Sequence, residues 1–198
     1  MKRIILIGDT IRLGYEPAVR AALSDVAVVW GPPECTQHTT QILFYLTTWV
    51  IDRNPDLVHI NSGHWDSRRV IRGEDGNVVP LPIYRRNVRR ILGLLQRHTR
   101  ARIIWATTTP MMFPAYERTQ RRDGGTSRNP QCIREYNTAA TAEAARHGIA
   151  VNDLHAFVQS RGLRAMMHGD GAHFTNTGYD ALGRFVAKAV RRELQSSS

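Results

Sequence analysis

Lysine is nearly absent from this chain. Of its 27 basic residues only Lys2 and Lys188 are lysines, so the net charge of +10 is carried by arginine. Cysteine is scarce as well. Cys35 and Cys132 stand far apart and fit no metal or redox spacing, which points to two reduced thiols rather than a disulfide framework. Long apolar runs are missing, and nothing approaches the roughly 18 residues of a membrane span. After Met1-Lys2-Arg3 the chain offers only Ile4 to Ile7 before Gly8. That is too short for a signal-peptide core, so a cytoplasmic location is expected. No low-complexity tract or internal repeat occurs apart from the serine tail, Ser196 to Ser198.

What is present suits a globular chain. Its 198 residues fit one domain, 1–198, with 42% apolar and 22% charged residues. The arginines fall in short groups, Arg68-Arg69-Arg72, Arg85-Arg86-Arg89-Arg90 and Arg121-Arg122. The middle group has i, i+4 spacing on a predicted helix and reads as a solvated face. This dispersal argues against nucleic acid as a partner and leaves an anionic small molecule open.

Apolar bursts alternate with helical patterns. Strands are expected at Arg3 to Gly8, Val26 to Trp30, Asp56 to Asn61, Arg102 to Thr109 and Ile149 to Asp153. Helices are expected at Pro17 to Leu23, Thr40 to Asp52, Pro82 to His98, Pro130 to Gly148 and Thr175 to Leu194. Two stretches rich in Gly, Pro and charge, Arg69 to Pro82 and Met111 to Pro130, read as loops. Such alternation implies an α/β fold, a parallel sheet covered on both faces. Sites in such folds form where loops leave the carboxyl ends of strands.

Chemistry-bearing residues fall at those ends. "HGDGAHFTNTGY" (His168 to Tyr179) separates Asp170 from His173 by two residues, ahead of the last helix. A turn there sets a carboxylate against one imidazole nitrogen and leaves the other facing a pocket, the orienter and base of a hydrolytic site. Thr10 sits on the strand-to-helix turn after the first strand. Its hydroxyl reads either as a nucleophile or as a helix cap. Gly63 permits close backbone approach, and Asn61 or His64 could add a donor for an oxyanion. Asp9 and Asp66 read as loop-fixing acceptors. His168, Asp170 and His173 could in principle chelate a metal, but the hydrolytic reading already uses two of them. His155 is a further pocket candidate, and Trp65, Met111, Met112, Phe113 and Tyr116 could line an acyl pocket.

Three blocks in order resemble the SGNH (GDSL-type) hydrolases over nearly the whole chain. "GDTIRLGY" resembles the family's opening G-D-S block, "NSGHWD" its G-x-N-D block and "DGAHFTNTGYDALG" its closing D-x-x-H block. The resemblance implies a three-layer α/β/α fold with a five-stranded parallel sheet. It also implies an esterase or related acyl-transfer enzyme needing no cofactor or metal. Catalysis would rest on Thr10, His173 and Asp170, with Asp9, Gly63, Asn61, His64 and Cys35 forming the oxyanion and substrate-binding set. The substrate would be a small or carrier-bound acyl ester or thioester. Two departures stand out: Thr10 occupies the family's nucleophilic serine position, and Trp65 its asparagine position. The family's remaining oxyanion block maps onto "WGPPECT", at Gly31 or Cys35. The alternative is a binding protein of the same fold without turnover.

Overall fold

Five apolar runs pair into a parallel sheet in the order β2-β1-β3-β4-β5. The strands are β1 (Lys2–Ile7), β2 (Ala27–Trp30), β3 (Leu57–Asn61), β4 (Arg102–Ala106) and β5 (Ala150–Asn152). The structure, a computed structural model, describes residues 1–69, 76–122 and 130–196. The helices are α1 (Thr10–Leu23), α2 (Thr39–Trp49), α3 (Leu81–His98), α4 (Phe113–Arg122), α5 (Pro130–Arg146), α6 (Leu154–Arg161), α7 (Leu163–Met166) and α8 (Asn176–Gln195). A one-turn 3-10 helix, Ile51–Arg53, follows α2.

Side-chain alternation along each strand divides the core. Ile4 and Leu6 of β1, Leu57 of β3 and Ile104 of β4 pack with α1, α6 and α8. Their neighbours Ile5, Ile7, Val58, Ile60, Ile103 and Trp105 pack with α2, α3 and α5 on the other face. Both faces being covered explains why the strands read as continuous apolar runs. Gly14 and Gly183 let α1 and α8 touch: a Cβ at Gly14 would lie 2.2 Å from the Tyr179 ring, and one at Gly183 2.5 Å from Ala18.

The helices depart from expectation in three places. Helix α1 begins at Thr10 rather than Pro17, because Asp9 caps it and Pro17 is carried inside the helix. Helix α4 lies in a stretch expected to be loop. Only Ala115 and Tyr116 of that helix are buried, so its apolar signal is faint amid Arg, Glu and Thr. Helices α6 and α7 are short and were not expected. The other expected loop, Arg69 to Pro82, lies partly outside the described residues; its described part pairs Arg69 with Asn77 and runs into α3.

One buried charge ties α3 to α5. The Glu143 side chain is fully enclosed. It accepts from Arg85 Nε at 2.6 Å, Arg89 Nε at 2.9 Å and Arg146 Nη1 at 3.2 Å. Hydrogen bonds from Arg89 outweigh burial and, with Arg85, hold its carboxyl down at about 2. A depressed carboxyl stabilises the fold above its unfolded value and loses that effect as pH falls towards the folded one. Glu143→Gln is therefore expected to cost on the order of 2 kcal/mol at neutral pH. The gap to the parent should narrow as pH drops below the ordinary value of 4.5. Urea unfolding at pH 7 and pH 4 checks both statements; an equal gap at the two pH values would refute the charge assignment.

Candidate active site

The turn after β1 is shaped by Asp9. Its Oδ1 accepts the Ile11 N–H at 2.9 Å and makes it the cap of α1. Thr10 is thus the first helical residue, and its hydroxyl is not the cap. Beneath the turn, Arg12 is almost wholly buried. Its Nη1 donates to Glu16 Oε2 at 2.8 Å, its Nη2 to the Glu34 carbonyl at 2.8 Å and its Nε to the Gly8 carbonyl at 3.4 Å. The Thr36 N–H also donates to the Gly8 carbonyl at 3.2 Å. The segment after β2 is thereby fastened beside Thr10.

The turn before α8 supplies the other half. Asp170 Oδ1 accepts the Ala172 and His173 N–H groups, each at 2.9 Å. Its Oδ2 accepts from His173 Nδ1 at 2.7 Å. His173 Nε2 then faces Thr10 Oγ at 3.4 Å. Burial alone pushes the Asp170 carboxyl up, but the Ala172 amide, the His173 ring and the His173 amide outweigh it and hold it below its ordinary value. A carboxylate on Nδ1–H fixes the tautomer whose Nε2 can accept a proton. Thr175 caps α8 by accepting the Gly178 N–H at 3.1 Å, and its own N–H donates to the Met166 carbonyl at 3.0 Å.

The turn after β3 closes the site. Asp66 is buried and accepts the Thr39 N–H at 2.9 Å, the Thr39 hydroxyl at 2.6 Å and the Ser62 hydroxyl at 2.6 Å. It holds its loop, as expected. Gly63, at φ 157°, presses against β4's exit: a Cβ there would lie 2.1 Å from Thr108 Oγ1. Asn61 does not reach the cavity; its amide donates to the Ala106 carbonyl at 2.9 Å and braces β3 against β4. Gly31 is also a packing position, since a Cβ there would meet Glu16 Oε2 at 2.6 Å. Cys35 is half-buried. Burial and the Asp9 charge push its thiol up, outweighing the lowering influence of the Thr10 backbone and of the Arg12 and Trp65 side chains. Cys35 is not among the residues that line the cavity.

Thr10, Asp170 and His173 open onto a cavity of about 340 Å³. Of the expected residues, Asp9, His64, Trp65, Met111 and Tyr116 line it. His64 Nε2 lies 3.0 Å from Thr109 Oγ1. Helix α4 forms one wall and adds Thr119 and Gln120, which sequence reasoning missed because it read this segment as loop. Arg68 lines the cavity with its guanidinium 5.0 Å from the Trp65 ring centre. Met112, Phe113, His155 and His168 are not part of the lining. His155 instead sets Nδ1 3.0 Å from the Thr108 carbonyl. Among the described residues no three His, Cys, Asp or Glu side chains cluster as metal ligands. No described helix is long and apolar enough to cross a membrane.

The sequence matches the GDSL-like lipase/acylhydrolase family over residues 14–181. The chain belongs to that family. The match contains Asp170 and His173 and begins at residue 14, so it does not cover Thr10. Solved structures share the fold. A lipase/acylhydrolase from Enterococcus faecalis superposes with a TM-score of 0.78 at 22% identity, over 100% of both chains. A GDSL-like lipase from Bacteroides thetaiotaomicron gives 0.73 at 21%, over 96% of this chain and 88% of its own. An acetylxylan esterase from Geobacillus stearothermophilus gives 0.71 at 17%, over 99% and 95%. A comparison with curated protein sequences finds no match.

Within this GDSL-family chain, a hydroxyl, an imidazole and a carboxylate share one hydrogen-bonded line at the mouth of a cavity. Such a line can move a proton away from the hydroxyl oxygen. The Gly63 loop that flanks it depends on close packing. Gly63→Ala is expected to destabilise the protein by about 2 kcal/mol. The loss should be smaller in a Thr108→Ala background, where the opposing hydroxyl is gone. Thermal unfolding of the two single variants and the double checks this; simple additivity would contradict it.

Proposed function

We propose that the protein hydrolyses short acyl esters through an acyl-threonine intermediate. The observation that carries this reading is the line Asp170 Oδ2, His173 Nδ1, His173 Nε2, Thr10 Oγ, with separations of 2.7 and 3.4 Å. Thr10 Oγ attacks the acyl carbonyl carbon and its proton passes to His173 Nε2. The tetrahedral intermediate collapses, and His173 returns the proton to the departing alcohol oxygen. Water then attacks the acyl-threonine carbonyl, losing a proton to the same nitrogen. The acid leaves and the Thr10 hydroxyl is restored. Asp170 keeps the imidazole in the required tautomer and stabilises its cation.

Charge that develops on the carbonyl oxygen needs donors. Thr10 opens α1 and Trp65 lines the same cavity, so the Thr10 backbone N–H and the Trp65 indole N–H are the donors this reading assigns. Trp65 thereby takes over the part that an asparagine amide plays in the family's pattern. Removing one such donor costs roughly a hundredfold or more in kcat. Trp65→Phe is expected to lower kcat by about that factor with little change in KM, as read from steady-state rates on an aryl acetate.

The cavity, about 340 Å³, has room for an acyl group together with part of its alcohol. The acetylxylan esterase likeness supports an acetyl ester as the first substrate to try. Thioesters, carrier-bound acyl groups and transfer to another alcohol use the same first step and stand behind it.

The Thr10 methyl crowds the tetrahedral centre and stiffens χ1. Together with the 3.4 Å gap to His173, it supports a second reading, a ligand-binding protein without turnover. Hydrolysis of 4-nitrophenyl acetate separates the two. In the enzyme, Thr10→Ala and His173→Ala lose about a thousandfold or more, and Thr10→Ser equals or exceeds the parent. Parent activity that survives Thr10→Ala would end the acyl-threonine mechanism. A silent parent with an active Thr10→Ser variant would support the binding reading.

A further inference from the structure

A second concave surface is larger than the catalytic cavity. It runs between α3 and α5, has a volume of about 1030 Å³, and carries Arg85, Arg86, Arg89 and Arg134 along its walls. Leu81, Pro82, Ala139 and Ala142 give it an aliphatic surface, with Glu135 beside them. The arginines that the sequence pattern reads as a solvated face therefore surround a concave surface.

Two of these guanidinium groups are held in place. The enclosed Glu143 accepts from Arg85 and Arg89, and also from Arg146. One carboxylate against three guanidinium groups leaves a surplus of positive charge in a fixed arrangement. Arg86 pairs with no carboxylate among the described residues, and Arg134 bonds only the neutral Gln131, at Oε1. Helices α3 and α5 both begin here, and neither has an acidic residue in its first turn. Their amino-terminal dipoles add to the positive field.

We propose that this groove docks an acidic amphipathic helix of a partner protein. Carboxylates three and four residues apart on a helix are spaced by about 5–6 Å. That spacing matches guanidinium groups arrayed i, i+4 along α3, as Arg85 and Arg89 are. The apolar stripe of the same helix covers the aliphatic surface. Fixing Arg85 and Arg89 beforehand lowers the entropy cost of binding. Nucleic acid fits less well: no aromatic side chain lines the groove for base stacking, and a sugar–phosphate strand supplies nothing for the aliphatic surface. The groove opens where α3 and α5 start, at the carboxyl end of the sheet that also bears the catalytic cavity. The proposal does not depend on the acyl chemistry.

The test uses the whole protein and fluorescence anisotropy at low salt. The probe is a labelled helical peptide of glutamate and leucine with its leucines on one face. Beside it run a scrambled peptide of the same composition and a single-stranded oligonucleotide of equal charge. The key variant is Arg86→Glu/Arg134→Glu. Its control is Arg184→Glu/Arg192→Glu, an equal charge change on exposed residues of α8. Arg86→Gln/Arg134→Gln repeats the comparison without charge reversal, should the first variant fold poorly. The peptide should bind, weaken about tenfold or more in the α3/α5 variant, and change little in the α8 control. The scrambled peptide and the oligonucleotide should bind more weakly. No binding at low salt, equal losses in both double variants, or tighter binding of the oligonucleotide would overturn the proposal.

Discussion

The parallel pairing of β1 with β3 is the constraint on which the site depends. Ile4 to Ile7 run beside Leu57 to Ile60 in register. The connection from β1 goes through α1 on one face of the sheet, while α2 and α3 cover the other. A crevice must open where two neighbouring strands send their chains to opposite sides. Thr10 leaves β1 at that crevice, and Gly63 to Trp65 leave β3 at it. The buried Arg12–Glu16 pair then keeps the first turn in place, because Arg12 also bonds the carbonyls of Gly8 and Glu34. Breaking it would strand a charge in the interior and free both segments at once.

Much of this was legible in the sequence, for physical reasons. Strands covered on both faces must be apolar throughout, so "RIILI" and "LVHI" announce themselves. Asp170 and His173 lie in one turn, three residues apart, so their contact is local and needs no knowledge of the fold. Thr10 is joined to them by topology alone, across 163 positions. Only the order of blocks along the chain hinted at that meeting. Helix α4 stayed hidden because its inward face is just Ala115 and Tyr116, and with it went Thr119 and Gln120 on the cavity wall. Asn61 misled for the opposite reason. A polar residue at a strand end resembles a site residue, yet here it satisfies the Ala106 carbonyl inside the sheet. A buried amide with a backbone partner carries no mark that separates it from a catalytic one.

The two positions where the sequence departs from the pattern it resembles, Thr10 and Trp65, line one cavity. An amide side chain is short and polar, whereas an indole delivers its donor from a bulky ring and needs room. Under the proposed mechanism such a donor acts on the charge of the transition state rather than on the bound ester.

The near-absence of lysine acquires a meaning from the same geometry. Glu143 can serve three helix-borne cations because a guanidinium presents several donors in a plane; Arg89 alone uses Nε and Nη2 on the two carboxylate oxygens. A lysine ammonium would give one point contact and a longer, looser reach. The arginine-rich composition is therefore not a uniform coat of charge. It separates into groups held by buried acids, as at Glu16 and Glu143, and groups that remain open to solvent beside them. Held guanidinium groups keep the helices aligned, and their open neighbours give the surface its sign. The docking groove arises where both kinds meet beside an aliphatic surface.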